Sequence, residues 1–406
     1  MRDTEFYTKL LSLPSPWEVS SVELDTEKEE VYIWIRYGSG QACCPECGKA
    51  YPIYDHRKPR RWRHLDTCQM KTWLVCSVPR VSCPEHGVIT IATPWANPQS
   101  RMTRMFERLA IDMLKAFKNQ TKVAKLLRIS FDQIHHIMHQ SVKRGLARRS
   151  KQHSPRRLGM DEKSFQKGHR YSTILSDLDT GCVIDLCEHR DEDSVTELIH
   201  KNLTQEQKDN IEAVSLDMWK PFINAVKTCF PNADIVHDRF HLAKYLNEAV
   251  DTTRRQEVQQ LNEQDQKNCL KNTRYIFLTN PENWSEAYFK RFEEIKTMNL
   301  KTAEAWQIKE NFKPFFQLAS VEQGNNYFLE WYEDAIKTDI KPIQKVANMF
   351  KKHIQGILNY LKHRITNALL ESINSIIQQI KHIARGYKSF ENFRIAVLFH
   401  LGKLNL

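Results

Sequence analysis

The chain has 406 residues, 41% hydrophobic and 10% aromatic, which is enough to bury several cores and too apolar for disorder to dominate. No apolar run approaches the ~20 residues of a membrane helix, and the opening "MRDTEFYTKLLSLPSPW" has acidic residues and prolines where a secretory leader is apolar, so a cytoplasmic protein without a membrane partner is expected. The net charge of +11 is uneven: residues 51–150 carry 19 basic and 6 acidic side chains against 5 and 9 before them and 36 and 34 after, which marks residues 51–150 as the polyanion-binding stretch.

Residues 17–37 hold two runs of alternating apolar residues and predict an antiparallel strand pair. Next come "CPECG" at Cys44–Gly48 and "CPEHG" at Cys83–Gly87, two ligand pairs each spaced across a tight turn. In a cytoplasmic chain with ten cysteines such pairs read as metal knuckles rather than disulfides. Cys44, Cys47, Cys83 and His86 are the expected ligands of one structural Zn2+, with Cys43, Cys68 and Cys76 as competitors. The strand-like runs "RRWRHLD" and "MKTWLVCSV" between them predict a long hairpin inside a zinc-binding β module over residues 1–95.

Residues 96–150 turn helical, and the breaks in "QTKVAKLLRIS" and "FDQIHHIMHQSVKRGLA" predict a helix-turn-helix. Val123, Ala124 and Leu127 form one inner face, and Phe131, Ile134, Ile137 and Met138 the next. The second helix of such a motif enters the major groove, which makes Asp132, Gln133, His135, His136 and His139 candidate base or phosphate contacts and Lys143, Arg144, Arg148 and Arg149 a basic extension. Lys122 and Lys125 on the first helix and Arg60, Arg61 and Arg63 in the preceding run complete the candidate DNA-binding set.

Beyond the basic linker "RRSKQHSPRR" the texture becomes mixed α/β. Three strands in "RLGMDEKSF", "YSTILSDL" and "GCVIDLCEH", a helix, and two strand–helix units are the element order of an RNase H-like fold, expected over residues 151–250. Residues 251–346, with Gly324 as their one glycine and aromatics at helical spacing, predict an all-helical insertion. Residues 347–406 return to amphipathic helices, including "NALLESINSII". There Leu369, Leu370, Ile373, Ile376, Ile377 and Ile380 share one face, and Asn367, Glu371, Asn374 and Gln378 form a polar stripe nearly opposite.

Asp161 closes the apolar run "LGMD" and Asp217 ends "AVSLD", both at expected strand ends, where a carboxylate is held rigidly for a divalent ion. The same residues have structural readings. Asp217 can cap the next helix and Asp161 can pair with Lys163, while Asp177, Asp179 and Asp185 are rival acids.

Taken together, "LGMDEKSFQKGHRYSTILSDLDTGCVIDL", "VSLDMWKPFINAV", "ADIVHDRFHLAKYLNEAV" and "NALLESINSIIQQIKHIARGYKSFENFRIAVL" resemble a bacterial insertion-sequence transposase of the ISL3 type, over nearly the whole chain. The resemblance implies a DDE triad at Asp161, Asp217 and Glu371 holding two Mg2+ or Mn2+ ions, with Asp238 and His241 of "HDRFH" beside it. It implies an enzyme that binds the terminal inverted repeats of its own element in double-stranded DNA, cuts them and joins them to target DNA, as a homodimer or larger multimer. The rival functions are a DNA-binding regulator without catalysis and a recombinase with a covalent nucleophile.

Overall fold

A computed structural model describes residues 2–149, 153–166, 170–260, 270, 273–296, 300–365 and 368–406. The chain divides into two compact units, residues 1–143 and residues 144–405. Among the described residues no helix is long and apolar enough to cross a membrane.

The first unit opens with α1 (Asp3–Leu10) and contains two four-stranded sheets. One has the order β1-β2-β6-β5, built from β1 (Trp17–Asp25), β2 (Glu30–Tyr37), β5 (Arg60–Thr67) and β6 (Met70–Cys76). The expected 17–37 pair is present, with Trp17 opposite Tyr37. The other sheet, β3-β4-β7-β8, is the ribbon that carries the cysteine knuckles: β3 (Gln41–Cys43), β4 (Ala50–His56), β7 (Pro79–Cys83) and β8 (Gly87–Thr90). The predicted hairpin does form, as β5 antiparallel to β6, but it joins the first sheet and not the ribbon. The reason is packing. Trp62, Leu74 and Cys76 bury their side chains in the same core as Ile33, Ile35 and Trp95, and β6 runs parallel to β2.

Three helices follow: α2 (Arg104–Phe117), α3 (Gln120–Leu126) and α4 (Phe131–Arg148). Thr103 caps α2 and Asn119 caps α3, each accepting a backbone N–H of the first turn, and Ser130 and Gln133 bond reciprocally at the start of α4. Val123, Ala124, Leu127, Ile134, Ile137 and Met138 are buried as the helical period requires. Phe131 departs from that expectation: it is 48% exposed and its ring stacks on His135, because the first residue of the helix precedes the turn that faces the core.

The same region holds a buried imidazole. His64 Nδ1 lies 2.9 Å from Thr103 Oγ1. Burial, with the Arg63 charge adding, pulls its pKa down to about 4. A free imidazole titrates near ~6.5, so between those values the unfolded chain binds a proton that the folded chain does not. Stability therefore rises with pH across that window and is lost as pH falls. At ~1.4 kcal/mol per pKa unit the loss reaches about 3 kcal/mol at most. Melting curves of wild type and His64→Asn at pH 4.5 and 7 check this: the variant is expected to lose less on acidification, and equal losses would refute it.

The second unit is built on a five-stranded sheet, β11-β10-β9-β12-β13. β9 (Arg157–Gln166), β10 (Arg170–Asp177) and β11 (Cys182–Glu188) pair antiparallel, and β12 (Ala213–Leu216) and β13 (Asp234–His237) continue parallel to β9. Between them lie α5 (Glu192–Asn202), α6 (Gln205–Asp209) and α7 (Lys220–Cys229). Leu158, Met160, Leu175, Val214 and Leu216 bury one face of the sheet against Val195, Leu198, Phe222 and Val226 of α5 and α7. On the edge strands, Arg149 donates to the Val183 and Ile184 carbonyls of β11, and Asn359 Nδ2 donates to the Ile235 carbonyl of β13.

A helical layer follows: α8 (Arg239–Gln260), α9 (Arg274–Leu278), α10 (Glu286–Lys296), α11 (Lys301–Glu310), α12 (Val321–Lys337), α13 (Lys341–Lys352) and α14 (Ile354–His363). Its core runs from Leu242 to Leu361 and takes in Phe277, Phe292, Phe315, Phe328, Trp331 and Phe350, so most of the aromatics noted in the sequence are packing residues. The chain ends with α15 (Ala368–Ala384) and α16 (Phe390–Leu401).

Candidate active site

The sheet register aligns the acidic residues. β12 pairs with β9 through Val214 opposite Leu158 and Ser215 opposite Gly159, and with β13 through Leu216 opposite His237. Carried past the last paired residues, that register sets Asp217 beside Asp161 on one side and Asp238 on the other. Neighbouring strands are ~4.8 Å apart, and residues in one row of parallel strands project to one face, so three aspartates form a row across the sheet. Asp161 differs from its expected place at a strand end, since β9 runs on to Gln166. The ladder with β12 stops at Gly159, however, and beyond it β9 pairs only with β10.

α8 supplies the surroundings of the row. Asp238 precedes it, and His241 and Tyr245 follow at i+3 and i+7, on one helical face. His241 lies between two of the acids, its Nδ1 3.4 Å from Asp217 Oδ2 and its Nε2 4.0 Å from Asp238 Oδ2. The Tyr245 hydroxyl donates to the Asp217 carboxylate, 3.1 and 3.2 Å from its two oxygens. Burial and the Asp217 charge raise the phenol's pKa, so it stays protonated and donating at neutral pH. The Asp238 carboxyl is pushed up to about 6, chiefly by burial, with the charges of Asp161 and Asp217 adding and the Phe240 N–H and His241 opposing. Three carboxylates in one row repel one another, and a divalent cation relieves that.

The rival acids are spent elsewhere. Asp177 accepts from His153 and Thr180, Asp179 pairs with Arg157, and Asp185 is held by Arg394 at 2.6 and 2.9 Å. The cap position of α7 is Trp219 and not Asp217. Lys163 does sit 3.8 Å from Asp161 Oδ2.

Glu371 is in the first turn of α15 and exposed. One turn on, Asn374 Nδ2 donates to Asp161 Oδ2 at 2.7 Å, which ties this helix to β9. Leu370, Ile373, Ile377 and Ile380 are buried as expected, whereas Leu369 is 39% exposed and Ile376 half-buried, so the apolar face is narrower than the sequence suggests. Asn367 of the polar stripe lies outside the described residues. The close approach depends on Gly159, where a Cβ would sit 2.8 Å from both Leu178 Cδ2 and Leu370 Cδ2. Gly159→Ala is expected to cost on the order of 1 kcal/mol, because the atoms its Cβ would meet are the movable ends of two leucines, and to loosen Asn374 from Asp161. Denaturant unfolding reads this out, and an unchanged midpoint would show that α15 is not held there.

The knuckles converge. Cys44 Sγ is 3.8 Å from His86 Nδ1, Cys47 Sγ is 3.8 Å from Cys83 Sγ, and Cys83 Sγ is 3.4 Å from His86 Nδ1. A tetrahedral zinc with bonds of about 2.3 Å to sulfur has ligand–ligand edges of about 3.8 Å, so the donor set and its size both fit. Gly48 and Gly87, following the knuckles, have φ of 72° and 68°, a conformation that favours glycine. Among the described residues this is the one group of three or more His, Cys, Asp or Glu whose ligand atoms all lie within 4.8 Å of one another, so the acids of the second unit are more widely spread. Cys43 and Cys68 are exposed, and Cys76 is buried in the other sheet's core.

Of the candidate DNA contacts, Arg60 and Arg61 are exposed and stack over Trp62 and Trp73, at 5.0 and 4.5 Å. With Lys71, Arg101, Arg128 and Gln133 they line a cationic cavity of about 600 Å³. Lys122, Lys125, His136, Lys143 and Arg148 are exposed and Arg144 is half-buried, while His135 is engaged by Gln120 and packs against His139. Two of the expected contacts are engaged within the fold. Arg63 is buried, donating to the His64 carbonyl and paired with Asp66, and Arg149 spends its guanidinium on the Val183, Ile184 and Gly402 carbonyls. Periodicity does not distinguish a cation that holds the fold from one that faces a ligand. Sequence reasoning also passed over Tyr245, although its i+7 spacing from Asp238 is visible in "HDRFHLAKY".

Comparison with known proteins agrees with these features. A family model described as a zinc-finger of transposase IS204/IS1001/IS1096/IS1165 matches residues 40–86, one described as the helix-turn-helix domain of transposase family ISL3 matches residues 91–142, and the ISL3 transposase model matches residues 158–397. The transposase for insertion sequence element IS1557 of Mycobacterium tuberculosis is 27% identical over 369 residues, covering 85% of this chain and 82% of its own. The transposase for insertion sequence element IS1001 of Bordetella parapertussis is 23% identical over 396 residues, covering 96% and 97%. The transposase model alone covers more than half of the sequence, and the chain belongs to the ISL3 family of transposases.

Proposed function

We propose that this transposase binds the terminal inverted repeats of its own insertion sequence and catalyses divalent-metal-dependent cleavage and strand transfer, with Asp161, Asp217 and Glu371 as the DDE triad. The observation that supports the reading is the row formed by Asp161 within β9 and by Asp217 and Asp238 just past the ends of β12 and β13, with the Glu371 helix fastened to it through Asn374 and Asp161. The sheet order, three antiparallel strands extended by two parallel ones, supports an RNase H-like catalytic domain over residues 151–250 and 347–406, interrupted by the helical segment 251–346. Residues 1–95 and 96–150 would be the zinc-binding and helix-turn-helix domains.

Asp161, Asp217 and Glu371 offer the hard oxygen donors that Mg2+ or Mn2+ requires. Bound there, the ions supply Lewis-acid activation of the attacking oxygen and neutralise the leaving one. The protein's own part is positioning. Asn374 orients Asp161, and the Tyr245 hydroxyl orients Asp217, with His241 packed beside it. No covalent protein intermediate is needed, because water or a DNA 3′ hydroxyl attacks the phosphodiester directly. Synapsis of two ends calls for a homodimer or larger assembly, acting in the bacterial cytoplasm at the nucleoid.

The test is incubation of the protein with duplex ends of its element and Mg2+. Nicking at the terminus and joining to a target, both abolished by chelation, are expected. Tight end binding with no cutting in any divalent metal would overturn the enzyme reading in favour of a regulator.

A further inference from the structure

Beside the aspartate row, and not used by the mechanism above, is a cavity of about 790 Å³, within the range that holds small ligands. Tyr171, Glu188, His189, Arg190, Asp191 and Trp219 line it. It is joined to the row through Trp219, two residues past Asp217; its Arg190 Nη1 is 3.0 Å from the carboxylate of Glu162, which projects from β9 to the face opposite Asp161. The Arg190 guanidinium lies 4.7 Å from the Tyr171 ring and 4.8 Å from the Trp219 ring. Trp219 is 42% exposed, yet its indole N–H is directed at the Arg190 carbonyl, 3.4 Å away, so a large apolar surface is held at the mouth of the cavity rather than buried in a core. His189, with φ of 79°, holds the turn that closes the wall, its carbonyl accepting from Thr173 Oγ1 at 2.8 Å.

The chemistry of the walls selects the ligand. Among the described residues the one Lys or Arg that lines it is already paired with Glu162, and Glu188 adds a carboxylate beside Asp191, the cap of α5, so these walls favour a neutral group over a phosphate. A flat, neutral heterocycle fits instead: it stacks on Trp219, and the Glu188 carboxylate accepts its amino hydrogens, Asp191 being engaged by Ser194. DNA offers that shape only as an unpaired base, and enzymes acting inside a duplex reach such a state by extruding a nucleotide.

We propose that the Trp219 cavity receives one unpaired nucleobase of the end DNA, drawn out of the duplex next to the bond being cut. The inference rests on the proposed catalytic reading for its location, and deepens it by naming what the site does to the substrate.

Duplex ends with an abasic residue, or with 2-aminopurine, at each of the three positions on either side of the cut test it, using wild type, Trp219→Ala, Trp219→Phe and Asp217→Asn. Trp219→Ala is expected to cut the fully paired end about tenfold or more slowly, the size of one lost base–aromatic stack, while Trp219→Phe cuts nearly as wild type. An abasic residue at one position should restore most of the alanine variant's rate, because no base pair then has to be opened. With wild type and with Asp217→Asn, 2-aminopurine emission should change severalfold at that same position, and not with Trp219→Ala. Loss in Trp219→Ala that is equal on every abasic duplex, or emission unchanged at all positions with wild type, overturns the proposal. If Asp217→Asn cuts normally the catalytic reading fails, and the emission change still judges the cavity by itself.

Discussion

Asp217→Asn is expected to lower DNA cutting and joining by about 10³-fold or more while end binding stays within a factor of about two. The magnitude follows from the several kcal/mol of charge stabilisation that a metal-holding carboxylate supports, at ~1.4 kcal/mol per tenfold in rate. Asparagine keeps the size of the side chain and one oxygen to accept from the Tyr245 hydroxyl, so the loss isolates charge rather than packing. Two companions sharpen it. Tyr245→Phe removes only an orienting donor and should cost far less than Asp217→Asn, whereas Asp179→Asn weakens a pair with Arg157 and should leave the chemistry unchanged. Gel-shift titration and a strand-transfer assay on the same preparations measure both quantities, and normal joining by Asp217→Asn would remove Asp217 from the active site.

Zinc removal should have the next largest effect, on binding rather than chemistry. The β3-β4-β7-β8 ribbon has little apolar interior of its own: β4 alternates exposed and half-buried residues throughout, and β8 buries none. Among the ribbon's few buried side chains, Cys44 and Cys83 with Ala42 and Val81 join the core of the first sheet, so the ion fastens the two knuckles where the ribbon meets that core. Structural zinc in such modules contributes on the order of 10 kcal/mol, as much as the whole stability of a typical domain. Cys83→Ser or strong chelation is therefore expected to unfold the ribbon and lower end affinity by about 100-fold or more, with about one zinc per chain released. Metal analysis, circular dichroism and gel shift check it, and a metal-free protein that binds ends normally would refute it.

Local signals made parts of this molecule legible before its structure. The knuckle spacing identified the four zinc ligands, because two residues across a tight turn are fixed by local geometry. Alternation identified β9, β10 and β11, but nothing local assigned the β5–β6 hairpin to its sheet, since β2 and β6 pair across more than thirty residues. The acids divide the same way. Asp161 and Asp217 stood out by position, yet their alignment with Asp238 is a matter of register between strands, and register is set by packing. Arg63 and Arg149 mark the limit from the other side: charge patterning counts a guanidinium as available until its carbonyl and carboxylate partners are seen. Trp219 looked like a helix-start residue, and only the neighbouring Arg190 and Tyr171, distant in sequence, turn it into a platform.

The side-chain bonds on the two outer strands of the catalytic sheet bear on assembly. An uncovered edge strand offers free carbonyls and amides to any extended chain and invites one sheet to continue into another. Here Arg149 occupies two carbonyls at the β11 edge and Asn359 one at the β13 edge. Growth of the sheet from copy to copy is blunted at both margins, so an assembly of two copies on paired ends, as proposed above, would not form by joining their sheets.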